Sequence, residues 1–154
     1  MRNIIESWHF EELKRLEQEA SGLAQEYYAW LKSTGDLVEL WVRVRRLNGC
    51  LQIEWTVPSW GYRHSDGKAR SRYLPKGKGH RYRSATLLRY VPKQHQAKVL
   101  EFERAFAEIR HAAKLLTEAR RAVGRYRKQV DLALGESESS GEGVTARKIL
   151  AEIR

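Results

Sequence analysis

The apolar residues of this chain change their period twice, and that constrains the fold more than any other feature. Residues 3–33 and 94–134 place apolar side chains every three or four positions, whereas residues 39–75 alternate. A helix, a β-meander and a second helix match those periods in that order. In the first segment Leu13, Leu16, Ala20, Leu23, Tyr27 and Trp30 form one stripe, with Glu11, Glu12, Glu17, Glu19 and Glu26 opposite. Ser33-Thr34-Gly35-Asp36 then reads as a stop.

The middle segment opens with Leu40, Val42 and Val44 alternating with Trp41, Arg43 and Arg45. Asn48-Gly49 follows, and this pair favours a type I′ hairpin turn because both central residues need positive φ. Leu51, Ile53 and Trp55 alternate on the return strand, which Pro58 is expected to end. A further extended piece at Trp60–Arg63, a turn at Asp66-Gly67 and an alternating run through Lys68, Arg70 and Arg72 complete a meander over 39–75. One face should be apolar and the other largely basic.

Residues 76–90 read as a basic loop. In 94–134 the stripe Val99, Phe102, Phe106, Ile109, Ala113, Leu116, Val123, Val130 and Leu134 marks a long helix that Gly124 can divide or bend. Pro92 suits its first turn. Residues 135–154 begin with the linker-like GESESSGEG and can end in a short helix over 144–153. The expected fold class is α+β: two long antiparallel amphipathic helices packed with a small three- to four-stranded antiparallel sheet, as one domain over 1–134. The longer stripe of the second helix also suits a homodimer seam.

With 154 residues and one cysteine, the chain can bury a core without disulfides or a multi-cysteine zinc site. No apolar run approaches the ~20 residues of a membrane span. The segment MRNIIESWHFEE carries acids where a signal peptide would be apolar, so a cytoplasmic protein is expected. The net charge is +10 and lies unevenly: residues 39–90 hold 12 basic and 3 acidic side chains. Such a segment attracts polyanions.

Catalytic patterns are absent. Cys50 opens a strand, where a small packing residue is the ordinary reading. His9, His64, His80, His95 and His111 show no ligand spacing, and Glu54 suits a cross-strand partner for Arg45. Walker A, GxGxxG, HExxH and GxSxG patterns do not occur. No enzyme and no cofactor are expected.

The run KARSRYLPKGKGHRYR places Lys68, Arg70, Arg72, Lys76, Lys78, Arg81 and Arg83 within sixteen residues, interleaved with Tyr73, His80 and Tyr82. Gly77 and Gly79 let the backbone around Lys78 approach a phosphate. Arginine bridges phosphate oxygens and lysine acts as a point charge. Arg43, Arg45, Arg63, Lys68, Arg70, Arg72, Lys76, Lys78, His80, Arg81, Tyr82 and Arg83 are therefore the candidate nucleic-acid-binding residues. In this reading Arg43, Arg45, Arg70 and Arg72 form one patch near base edges, and the loop grips phosphates of double-stranded DNA. An adaptor that docks an acidic protein, or an RNA-binding module, are the alternatives.

The order NGCLQIEW (48–55), RSRYLPKGKGHRY (70–82) and FERAFAEIR (102–110) resembles the MobI family of conjugative-transfer proteins. The shared features are an Asn-Gly turn into an Ile-Glu-Trp strand, a Tyr before Lys-Gly repeats, and a Phe-Ala-x-Ile-Arg helix. The likeness covers about residues 39–115. It implies an auxiliary mobilisation factor that acts at the origin of transfer and helps the relaxase without cutting DNA itself. It supplies no binding-residue set; the candidates above come from charge and spacing.

Overall fold

The computed structural model describes residues 2–63 and 69–139. They form helix α1 (Arg2–Thr34), strands β1 (Trp41–Leu47), β2 (Cys50–Arg63) and β3 (Ala69–Tyr73), a short helix α2 (Ser84–Leu88), a 3-10 turn (Lys93–His95) and helix α3 (Gln96–Ser139). The chain divides into two compact units, Met1–Thr117 and Glu118–Arg154.

In the first unit the α1 stripe is the buried face: Leu13, Leu16, Ala20, Ala24 and Tyr27 lie in the core, with Leu23 and Trp30 packed against it. The helix ends at Gly35, whose φ of 69° follows the last helical turn without the cost a Cβ would add. Trp30 meets His95 and Phe102, whereas Leu16 and Leu23 share a groove of about 500 Å³ with Ile109 and Ala112. Rising numbers on α1 thus meet falling numbers on α3, and the helices are antiparallel.

The sheet has order β1-β2-β3 and is antiparallel throughout. Asn48 and Gly49 turn with φ of 51° and 72°, closing the hairpin at the Leu47–Cys50 pair. Val42, Ile53, Trp55 and Val57 point to the helices and are buried. Trp55 is fully buried, its ring 5.1 Å from Tyr27 and 5.6 Å from Phe106. Burying one such side chain contributes roughly 2–3 kcal/mol. Tyr28 donates its hydroxyl to the Val42 carbonyl and accepts from the Val42 N–H, so the outer edge of β1 is satisfied there.

Several sequence expectations need correction. The sheet has three described strands, the lower of the expected three to four, and β2 is not ended by Pro58 but runs on through it to Arg63. The Trp55 carbonyl accepts from Leu74 N–H, so its peptide groups face the β3 side. Backbone groups alternate sides along a strand, and Pro58, three residues on, faces the β1 side. There β1 has already ended at the Trp41–Thr56 pair, so a missing N–H loses no ladder bond. The stretch 76–90 holds α2, and α3 continues past Gly124 and Gly135 to Ser139. The Asp66-Gly67 turn and the 144–153 helix lie outside the described residues. In the second unit, residues 118–135 of α3 are exposed except for half-buried Val123 and Arg127.

Candidate nucleic-acid interface

The loop after β3 is held by a buried ion pair that charge counting does not reveal. On α3, Glu103 and Arg110 are 5% and 8% exposed, yet both are fully engaged. Arg110 donates Nη2 to Glu103 Oε2 at 2.8 Å and Nη1 to Oε1 at 3.0 Å. Its Nε reaches the Ile53 carbonyl at 2.9 Å, and Nη1 reaches the His80 carbonyl at 2.7 Å. Glu103 also accepts the Tyr82 backbone N–H at 2.8 Å and the Trp55 indole N–H at 2.6 Å. A buried charge needs this completeness, because an unpaired one would cost several kcal/mol. The network ties sheet, loop and helix together, with the Arg110 guanidinium 4.9 Å over the Tyr82 ring.

Tyr82 is therefore a core residue. It is 6% exposed, and its hydroxyl accepts the Trp55 N–H at 3.3 Å, so it presents no ring face to a ligand. Its neighbours differ: Lys78, Arg81 and Arg83 are exposed, and Lys76 and His80 are half-buried. The Lys76 ammonium donates to the Gly79 carbonyl across the tip of the loop. Gly77 and Gly79 have φ of 79° and 96°, values only glycine adopts cheaply.

Helix α3 adds His111 and Lys114, which sequence reasoning missed at this place. The His80 ring sits 4.4 Å from that of His111, one turn from Lys114. Partial burial, then the positive charges of His111, Arg81, Arg110 and Lys114, hold the His80 imidazole below its ordinary value. Burial, then Arg110 and Lys114 against an opposing pull from Glu103, lowers Lys76 likewise. The sequence signal was faint: His111 and Lys114 are merely the exposed side of a helix until the loop lies beside them.

The sheet does not make the single arginine patch that the alternation suggested. Arg43 and Arg45 lie on the solvent-facing side of β1, sharing parity with Glu54 and Gln52. Arg72 pairs with buried Val57 and so belongs to the opposite side, where Nη2 donates to Tyr90 Oη at 3.1 Å. The central strand β2 also separates β1 from β3. Arg43 Nη1 donates to Tyr73 Oη at 2.5 Å. Arg45 Nε lies 3.2 Å from Glu54 Oε2, an ion pair by distance without hydrogen-bond alignment. Lys68 and the side chains of Arg63 and Arg70 lie outside the described residues; by backbone register Arg63 stands opposite Ala69 and Arg70 opposite Ser59.

Among the described residues no cluster of His, Cys, Asp and Glu has the arrangement of a metal site, and no helix is long and apolar enough to cross a membrane. Comparison with known proteins gives one family: the model described as MobI protein matches residues 16–124. No curated protein and no solved structure matches.

Proposed function

Because the chain belongs to the MobI family, and thus to the mobilisation proteins of conjugative transfer, we propose that it binds double-stranded DNA at the origin of transfer. In this role it assists the relaxase in the cytoplasm and cuts no DNA. The observation that carries the reading is the pinned loop: exposed Lys78, Arg81 and Arg83, with half-buried Lys76, lie on a segment whose backbone is fixed by Arg110 and Glu103. A loop ordered in advance loses little entropy when it meets a phosphate backbone. Its cations, with His80, His111 and Lys114, act as phosphate contacts, each releasing condensed counterions. Arg43, Arg45 and Arg72 extend the field on either side of the sheet, and Arg63, Lys68 and Arg70 belong to the same reading. The exposed Tyr126, Val130 and Leu134, spaced by four on α3, support a homodimer seam there.

The test is a mobility-shift titration over salt with duplex DNA from the region flanking the encoding gene. Changing Lys76, Lys78, Arg81 and Arg83 together to Ala should abolish the shift at about 150 mM salt while the helical circular dichroism signal persists. Undiminished duplex binding by that variant would refute the surface. Capture of a relaxase that survives nuclease treatment, without duplex binding, would assign the loop to a protein partner instead.

A further inference from the structure

The solvent-facing side of the sheet carries an arrangement that phosphate gripping does not use. Trp41 pairs with Thr56, and Thr56 with Tyr73, so the three share one row and one face. Trp41 and Tyr73 are 38% and 39% exposed, while Thr56 between them is only 3% exposed. Two strand spacings put the aromatic residues about 10 Å apart. Both aromatic residues therefore remain partly exposed on this face.

Tyr73 is also held in place. Arg43 donates to its hydroxyl, and the Arg45 guanidinium lies 5.4 Å from its ring centroid. Arg45 is balanced by Glu54, whereas Arg43 makes no described ion pair with a carboxylate, so the face carries net positive charge beside its aromatic rings. Cross-strand packing explains the shielding of Thr56 but not the outward exposure of both rings. Aromatic rings interspersed with arginines on an open sheet are chemically suited to unpaired bases, which present two π-faces and a phosphate per nucleotide. Paired bases in a duplex are already stacked and offer no such face.

We propose that Trp41 and Tyr73 form a stacking platform for a short unpaired DNA segment, with Arg43 and Arg45 on its phosphates. Tyr73 lies three residues before Lys76, at most about 11 Å along the chain. The platform is thus joined to the phosphate-gripping loop by a short stretch of chain, and two or three nucleotides span that length. The assignment to DNA rests on the reading above, but its stacking residues, Trp41 and Tyr73, are no part of that reading.

Fluorescence anisotropy with a labelled oligo(dT) of about 15 nucleotides, an oligo(rU) of the same length and a blunt duplex tests it. Trp41→Ala and Tyr73→Ala should each weaken oligo(dT) binding at least roughly 5-fold, the loss of one stacked base, with duplex binding unchanged. Trp41→Phe should retain most of the affinity. Equal losses on oligo(dT) and duplex, or none on either, would overturn the platform. Preferential binding of oligo(rU) would overturn the DNA assignment. A wild-type measurement guards against misfolded variants: photocrosslinking to 5-iododeoxyuridine oligonucleotides should label Trp41 or Tyr73, and labelling confined to other residues would equally refute it. Wild-type protein that holds oligo(dT) but no duplex would sink the duplex reading and leave the platform standing.

Discussion

Replacing Arg110 by Met removes the centre of the buried network while keeping most of the side-chain volume. The change strips donors from the Ile53 and His80 carbonyls and leaves Glu103 with only the Tyr82 and Trp55 N–H groups. Breaking a buried ion pair from one side costs about 3–5 kcal/mol, because the remaining charge has lost its counter-charge away from water. A unit of this size has a total stability on the order of 6–18 kcal/mol. The loss is therefore a large fraction of the whole and should lower Tm by roughly 10–20 °C. Neutralising the orphan should recover part of it: Arg110→Met with Glu103→Gln is expected to be about 1–3 kcal/mol more stable than Arg110→Met alone. Urea unfolding followed by tryptophan fluorescence, at constant m-value, reads both numbers. The second readout is functional. Because Arg110 and Glu103 fix the loop at His80 and Tyr82, folded Arg110→Met protein should bind duplex DNA more weakly although no phosphate-contacting cation was removed. An Arg110→Met cost below about 1 kcal/mol, or a double variant no better than the single, would show that the pair does not hold the loop.

Acidity and backbone strain supply two further predictions. The His80 imidazole is held below its ordinary value by partial burial and neighbouring positive charge, and a bound phosphate reverses the latter; binding therefore takes up a proton. Duplex affinity should rise as pH falls from about 7.5 towards 6, and His80→Gln should flatten that rise in anisotropy titrations; a profile unchanged by the substitution would exclude the His80 linkage. The free protein behaves oppositely: a depressed histidine favours the neutral folded form, so this group withdraws stability as pH drops below its unfolded value near 6.5. At Gly79, with φ of 96° and open space around its α-carbon, Ala would meet no neighbour but would strain the backbone. Gly79→Ala should cost about 1–2 kcal/mol in urea unfolding, or displace the loop and weaken duplex binding at unchanged stability; wild-type values for both would refute the strain argument.

What could be read from the residues was what one element decides alone. The α1 stripe, the Asn48-Gly49 turn and the alternation of Val42, Ile53 and Trp55 each follow from local period and φ preference, and all stand in the fold. The continuation of β2 through Pro58 depends on where β1 stops, which is a property of the pairing and not of proline. The persistence of α3 past Gly135 has a simple scale: one interior glycine costs about 1 kcal/mol, too little to end a helix by itself. The opposite placement of Arg43 and Arg72 follows from pairing parity across β2, invisible until the register is known. Glu103 and Arg110 did leave a trace. Val99, Glu103, Phe106, Arg110 and Ala113 are spaced four, three, four and three, so two charges occupy positions of the buried stripe. Charges at such positions are either errors of pattern or partners of one another, and here they are partners.

The distribution of partners also bears on which of the middle segment's cations are open to the proposed polyanion. Arg46 is taken by Glu17 at 2.6 Å and lies 5.0 Å over the Phe10 ring, and Arg45 is balanced by Glu54. These ties draw positive charge on β1 into the fold. In contrast, among the described residues no ion pair joins Lys76, Lys78, Arg81 or Arg83 to a carboxylate. Uncompensated charge is what condensed counterions answer to, so the salt dependence of binding should belong to the loop rather than the sheet. The tetra-alanine loop variant should therefore reduce the slope of log affinity against log salt by about three to four for duplex DNA. Trp41→Ala, which removes no charge, should leave the slope for unpaired DNA intact while lowering affinity at every salt concentration. Parallel slopes for wild type and the loop variant would mean that the phosphate contacts lie elsewhere on the molecule.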